Sequence, residues 1–115
     1  MTTDLDPRAA AYAEAAALHG RATIDGDSKT ANAAHDRLAA VYRELRDQGR
    51  RQLLLPLLTH RDASVRVWAA AHALEFDPAS GERVLKDVAS TDQTSLGFSA
   101  EQTLRVWHEG DLRFP

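Results

Sequence analysis

The chain contains no cysteine and, in 115 residues, only one Met, four Pro, two Trp, two Tyr and three Phe. Without a thiol there is no disulfide framework, no thiolate zinc site, no cysteine nucleophile and no iron–sulfur cluster, and a reducing cytoplasm is the expected setting. No apolar run approaches the length of a membrane span. Met1 to Leu18 carries Asp4 and Asp6 where a secretory signal is basic, and its apolar residues are mostly Ala, so no export signal is read there. Lysine is nearly missing too, with 2 Lys against 12 Arg and 21 Ala, a bias that reflects GC-rich codons.

The motifs of catalysis are absent as well. The five His, at 19, 35, 60, 72 and 108, are never three or four residues apart, so no two share a helix face as metal ligands do. There is no His-Glu-x-x-His, no Gly-x-Ser-x-Gly, no Gly-x-Gly-x-x-Gly and no phosphate loop. No spacing nominates a carboxylate or histidine pair for acid–base work. The expectation is a protein that is not an enzyme and needs neither metal nor cofactor. His72, one turn past Trp68, is read as half-buried on its helix, and His60 as a polar residue of an interhelical turn.

What is present suits one globular domain over residues 1–115, long enough to bury a continuous core without a staple. The net charge of −3 is unevenly spread. Residues 37–66 hold seven Arg against Glu44, Asp47 and Asp62, a local +4, whereas Glu75 to Asp111 comes to −5. Only the first stretch resembles the basic patch of a nucleic-acid binder, and solvated helix faces explain both.

Apolar residues recur at helical spacing throughout, and no strand-like alternation appears. The pattern predicts helices over about 7–24, 28–48, 63–76, 78–90 and 95–109, with Asp6, Asp27 or Ser28, Asp62 and Asp77 at N-caps and Pro7 and Pro78 in first turns. Gly49 closes the second helix and Gly110 the last. Arg50 opens a dense leucine helix that Pro56 is expected to kink. The six Gly read as turns or helix ends, except Gly97, which sits inside a helix where another backbone could approach closely.

The second half repeats itself at an offset of 30 residues. Leu54, Leu55 and Leu58 answer to Val84, Leu85 and Val88, Asp62 to Asp92, Trp68 to Phe98, Ala70 to Ala100 and Leu74 to Leu104. Each unit reads as two antiparallel helices around an Asp, and such hairpins must stack to bury their apolar faces. With the first two helices as a weaker terminal hairpin, the expected fold is all-α, a short solenoid of three stacked antiparallel hairpins.

Leu54-Leu55-Pro56-Leu57-Leu58, then Asp62-Ala63-Ser64-Val65-Arg66, Ala69-Ala70 and Ala73-Leu74, resembles a HEAT-type repeat. More narrowly, residues 30–115 resemble a small bacterial family of single-domain HEAT-like proteins, through Glu44-Leu45, the leucine helix with His60, Val65-Arg66, Ala69-Ala70, Leu104, Gly110 and Pro115. The second repeat departs from the pattern, with Leu96 at the place of Arg66 and Ser99 at that of Ala69. The resemblance implies a helical-repeat fold and a setting beside bacterial toxins, where such folds recur among immunity proteins.

These readings converge on a protein that binds another protein, with toxin neutralisation as the leading role. The alternatives are a HEAT-like nucleic-acid binder using Arg43, Arg46, Arg50 and Arg51, and a scaffold or accessory subunit of an enzyme. The partner-binding face is expected to combine Arg43, Val67, Ala71, Glu75, Glu101, Arg105 and His108, with Val67 and Ala71 as an exposed apolar centre. Acids at Glu75, Glu101 and Glu109 would rim it for a basic partner. Structural roles fall to Leu58, Leu74 and Trp68 in the core and to Asp62 as a cap. Arg66 either reaches Asp62 or Asp92 or is itself an exposed contact. Trp107 is open to three roles, as core, lid or interface anchor.

Overall fold

The computed structural model describes residues 5–114; Asp4 and Pro115 of the preceding readings lie outside them. The described residues form α1 (Pro7–Ile24), α2 (Ser28–Asp47), a 3-10 helix (Arg51–Thr59), α3 (Ala63–Ala73), α4 (Pro78–Thr91) and α5 (Ser95–His108), with no strand among them. The chain is all-α.

Each start has a local cause. The carboxylates of Asp6, Asp27, Asp62 and Asp77 accept from backbone N–H groups that have no partner inside their helices, those of Arg8, Thr30, Ser64 and Ser80. At α5 the cap is Thr94, not Asp92; Asp92 holds Thr94 instead, accepting from its backbone N–H at 2.8 Å and from its hydroxyl. α5 therefore starts two residues later than an offset of 30 from α3 would place it, and the 30-residue correspondence slips there.

The leucine segment is a 3-10 helix and not a kinked α-helix. Pro56 has no N–H to donate, and in an α-helix its ring would meet the carbonyl of residue 52. Bonds of the i to i+3 kind at both ends, Leu53 N–H to Arg50 O and His60 N–H to Leu57 O, both 3.1 Å, accompany the tighter winding. Three residues per turn put Leu54 and Leu57 on one buried face while Pro56 stays exposed.

α3 is the axis of the packing. It touches α1, the 3-10 helix, α4 and α5, while α1 also lies along α2 and α4 along α5. Eight of its eleven residues are buried, so it is apolar on nearly every side. Its run of Ala lets neighbouring backbones come close, and Gly81 of α4 uses this: a Cβ there would stand 2.5 Å from the Ala70 carbonyl oxygen. Gly97 makes a similar approach to the end of α4, where a Cβ would stand 1.9 Å from the Asp92 carbonyl oxygen. Gly81 is thus a contact position and not a turn.

One core cluster runs from Tyr12 to Leu104 through Leu38, Leu54, Leu58, Leu74 and Leu85. Within the 30-residue correspondence, Leu58 and Val88, Ala70 and Ala100, and Leu74 and Leu104 are buried in both members. Trp68 and Phe98 are not: Trp68 is half-buried and Phe98 is 63% exposed. Arg66 donates to the carbonyls of His60 (2.7 Å) and Arg61 (3.1 Å) rather than to Asp62 or Asp92.

Leu58→Ala and Leu74→Ala are each expected to cost about 2–5 kcal/mol in urea denaturation. Gly97→Ala is a sharper test, because the helix preference of Ala favours it by about 1 kcal/mol while a backbone collision of this kind costs about 1–3 kcal/mol. Net destabilisation supports the close approach; net stabilisation argues against it.

Candidate functional site

Three helix faces and one irregular segment enclose a cleft of about 370 Å3. The end of α1 supplies His19, Thr23 and Ile24; α3 supplies Ser64, Val67, Trp68 and Ala71; the first half of α5 and its middle supply Leu96, Phe98, Ser99, Gln102 and Thr103; and Leu112 and Phe114 close one side. No Asp, Glu, Lys or Arg lines it. Burial, and secondarily the neighbouring His35, lowers the pKa of His19, which keeps that imidazole neutral near pH 7. The cleft is an uncharged apolar surface edged with hydroxyls.

Two large apolar residues stand exposed among the described residues, Ile24 at 79% and Phe98 at 63%, and both line this cleft. Trp68 lines the cleft with them, its ring 5.2 Å from that of His19 and 5.4 Å from that of His35. Contiguous exposed apolar surface beside a concavity of this volume is the physical signature of a binding site.

Behind the cleft lies a buried polar network that the sequence pattern did not disclose. His72 is 2% exposed and not half-buried. Its ring stacks on Tyr42 with centroids 3.8 Å apart and planes 12° from parallel, and Phe114 covers it at 4.4 Å. Its Nδ1 lies 2.6 Å from the Tyr12 hydroxyl. Burial holds the Tyr12 phenol well above the usual range, so it keeps its proton, and donating that proton to Nδ1 satisfies both buried atoms. Tyr42 donates in turn to Glu75 Oε1. Burial, with smaller contributions from His35 and Arg46, pushes His72 down to about 3. The Tyr12–His72 pair is neutral near pH 7, and with Tyr42 it ties α1, α2 and α3 together.

Of the residues expected on the binding face, Val67 and Ala71 line the cleft. They are 7% and 5% exposed, so they form its floor and are not the open apolar centre expected, because α3 is surrounded by its neighbours. Arg43, Glu75, Glu101, Arg105 and His108 do not line it. Glu75 accepts from Tyr42, and His108 lies 3.3 Å from Glu82 on α4. Arg105 bonds Glu109 at 3.0 Å and Gln102 at 2.6 Å, and so sits behind a lining residue. Ile24 and Phe98 were missed. Their sequence signal is a large apolar residue where local structure leaves it without cover, Ile24 ahead of an Asp-Gly-Asp turn and Phe98 in the first turn of the last helix.

Among the described residues, no group of three or more His, Asp or Glu is placed to hold a metal ion, and no helix is long and apolar enough to cross a membrane. Fold and site together define an all-α protein with an uncharged apolar cleft. The chain belongs to the DUF2019 family, a domain of unknown function whose model matches residues 8–108. No curated protein and no solved structure matches it.

The buried His72 makes stability depend on pH. The folded protein keeps the ring neutral down to about pH 3, whereas an unfolded chain protonates it near 6.5. Its effect is therefore nil above about pH 6.5 and grows unfavourable as pH falls, by up to about 1.4 kcal/mol per unit. Denaturant titrations at pH 7 and pH 5 should show wild type losing stability and His72→Gln losing clearly less, with the residual slope assigned in part to His19. Equal slopes would remove His72 as the cause.

Proposed function

We propose that this chain is a non-catalytic protein-binding module, a short HEAT-like stack of antiparallel hairpins whose cleft receives apolar side chains of a partner. The observation that carries this is the coincidence of both exposed large apolar residues, Ile24 and Phe98, with the one uncharged cleft described above. The succession of contacts supports the hairpin arrangement, with α1 against α2, the 3-10 helix against α3, and α4 against α5. In its sharper form, the proposal is an immunity protein that neutralises a toxin in the cytoplasm. Glu101, exposed on the same helix as Phe98, and Glu109, exposed just past its end, suit a basic flank on that partner.

The Arg-rich stretch offers less to a nucleic acid. Arg46 lies 3.8 Å from Asp47, Arg50 lies 3.3 Å from Asp6, and the Arg51 guanidinium sits 5.3 Å from the Phe76 ring centre.

The test is co-expression with the product of the adjacent gene, followed by affinity measurement and a growth-rescue assay. Phe98→Asp combined with Ile24→Asp changes exposed positions, so the variant should keep its helical circular dichroism. It is expected to lose affinity at least about tenfold, equivalent to ~1.4 kcal/mol, and to lose rescue in parallel. A folded variant that binds and protects like wild type would remove the cleft from the interface. Binding of duplex or single-stranded nucleic acid that weakens steeply with salt would favour the other class.

A further inference from the structure

One side of the cleft is not helix. α5 closes at Gly110, whose φ of +80° turns the chain, and the segment that follows alternates in exposure. Leu112 and Phe114 are half-buried and line the cleft, while Asp111 and Arg113 stand in solvent. Alternation of this kind is how an extended segment presents its side chains to a surface. Phe114 lies on His72 at 4.4 Å and near Tyr42 at 6.2 Å.

Very little backbone bonding fixes this segment. Among the described residues, the backbone bonds after α5 end with Asp111 N–H to Val106 O at 3.0 Å. Arg113 bonds only the carbonyls of Gly110 and Leu112, at 2.8 and 2.9 Å, within its own segment. Among the described residues, the packing of Leu112 and Phe114 is what seats this segment on the core, and a segment seated by few contacts opens at lower cost than the helices do.

We propose that the cleft recognises an extended protein segment carrying an aliphatic residue and, two positions on, an aromatic one, and that Leu112-Arg113-Phe114 is a built-in occupant which the partner displaces. The inference rests on the cleft being a protein-binding face and specifies what it binds. The uncharged lining requires uncharged side chains at both anchor positions, and the residue between them faces solvent, as Arg113 does. The roughly 370 Å3 still open beside the segment accommodates the partner's flanking residues. A tethered occupant competes at its effective concentration, so removing it raises affinity for a segment added in trans.

The probe is a synthetic peptide of residues 110–115, Gly-Asp-Leu-Arg-Phe-Pro, titrated by NMR into the 115-residue chain and into the same chain carrying Leu112→Ser with Phe114→Ser. The double variant is expected to show saturable shifts of the Trp68 indole N–H and of Phe98. Wild type should bind at least about tenfold more weakly, since its own segment competes. A peptide with Ser at both anchor positions should bind neither protein. Phe114→Ala alone, which keeps Leu112, should move affinity in the same direction and serves if the double variant is unstable. Binding to neither protein, or equally to both, overturns the proposal. Concentration-dependent dimerisation of wild type abolished by Phe114→Ala overturns it as well, because it assigns the site to a second copy. If Phe98→Asp abolishes partner binding while the peptide binds nothing, the cleft remains the interface and only the displaced-segment proposal falls.

Discussion

The fold depends on burying α3 on almost every side. A helix that is apolar around most of its circumference needs cover from several directions, and here α1, the 3-10 helix, α4 and α5 provide it. Small residues make this feasible. Ala69, Ala70, Ala71 and Ala73 keep α3 thin, and Gly81 lets the α4 backbone approach it where any side chain would collide. A polar group on such a helix must find its partner inside the protein. His72 does so through Tyr12, and the stacking of Tyr42 and the tilted contact of Phe114 on its ring join α1, α2 and the segment after α5 to the same point.

The cleft follows from the same geometry. α1 and α5 both lie against α3 but leave a gap over Val67 and Ala71, and the floor of that gap is necessarily apolar because α3 is. Its edges come from helix ends, which are rich in Thr and Ser for capping and turn formation. Thr94 illustrates the overlap, capping α5 through its hydroxyl while lining the cleft. Lack of charge is then a consequence of which surfaces meet. It shifts the expected recognition from charge pairing toward shape and apolar contact, with electrostatics confined to more distant acids such as Glu101.

Much of this was legible along the chain. Helix starts were visible because an Asp before an apolar run caps its own next turn, an interaction spanning two or three residues. The apolar stripe of α2 followed from helical periodicity, and the buried Leu58, Leu74 and Leu104 from the 30-residue repeat. Pro56 announced a break, although whether it kinks an α-helix or imposes a 3-10 helix depends on what packs around it. The offset of 30 residues located the buried pairs Ala70 with Ala100 and Leu74 with Leu104, but it treated Phe98 as core on the strength of Trp68.

By itself, then, the sequence determined the all-α class, the element boundaries to within a few residues and the greater part of the core, since each depends on contacts within one or two helical turns. Only the tertiary structure decided that His72 is fully buried, that Arg66 serves backbone carbonyls and that Val67 and Ala71 form a floor. It likewise decided that Ile24, Phe98, Leu112 and Phe114 meet around one cleft. These residues are separated by up to ninety positions, and exposure at each is set by which other element happens to cover it. No local pattern encodes that cover; it arises when α1, α5 and the segment after α5 pack against α3.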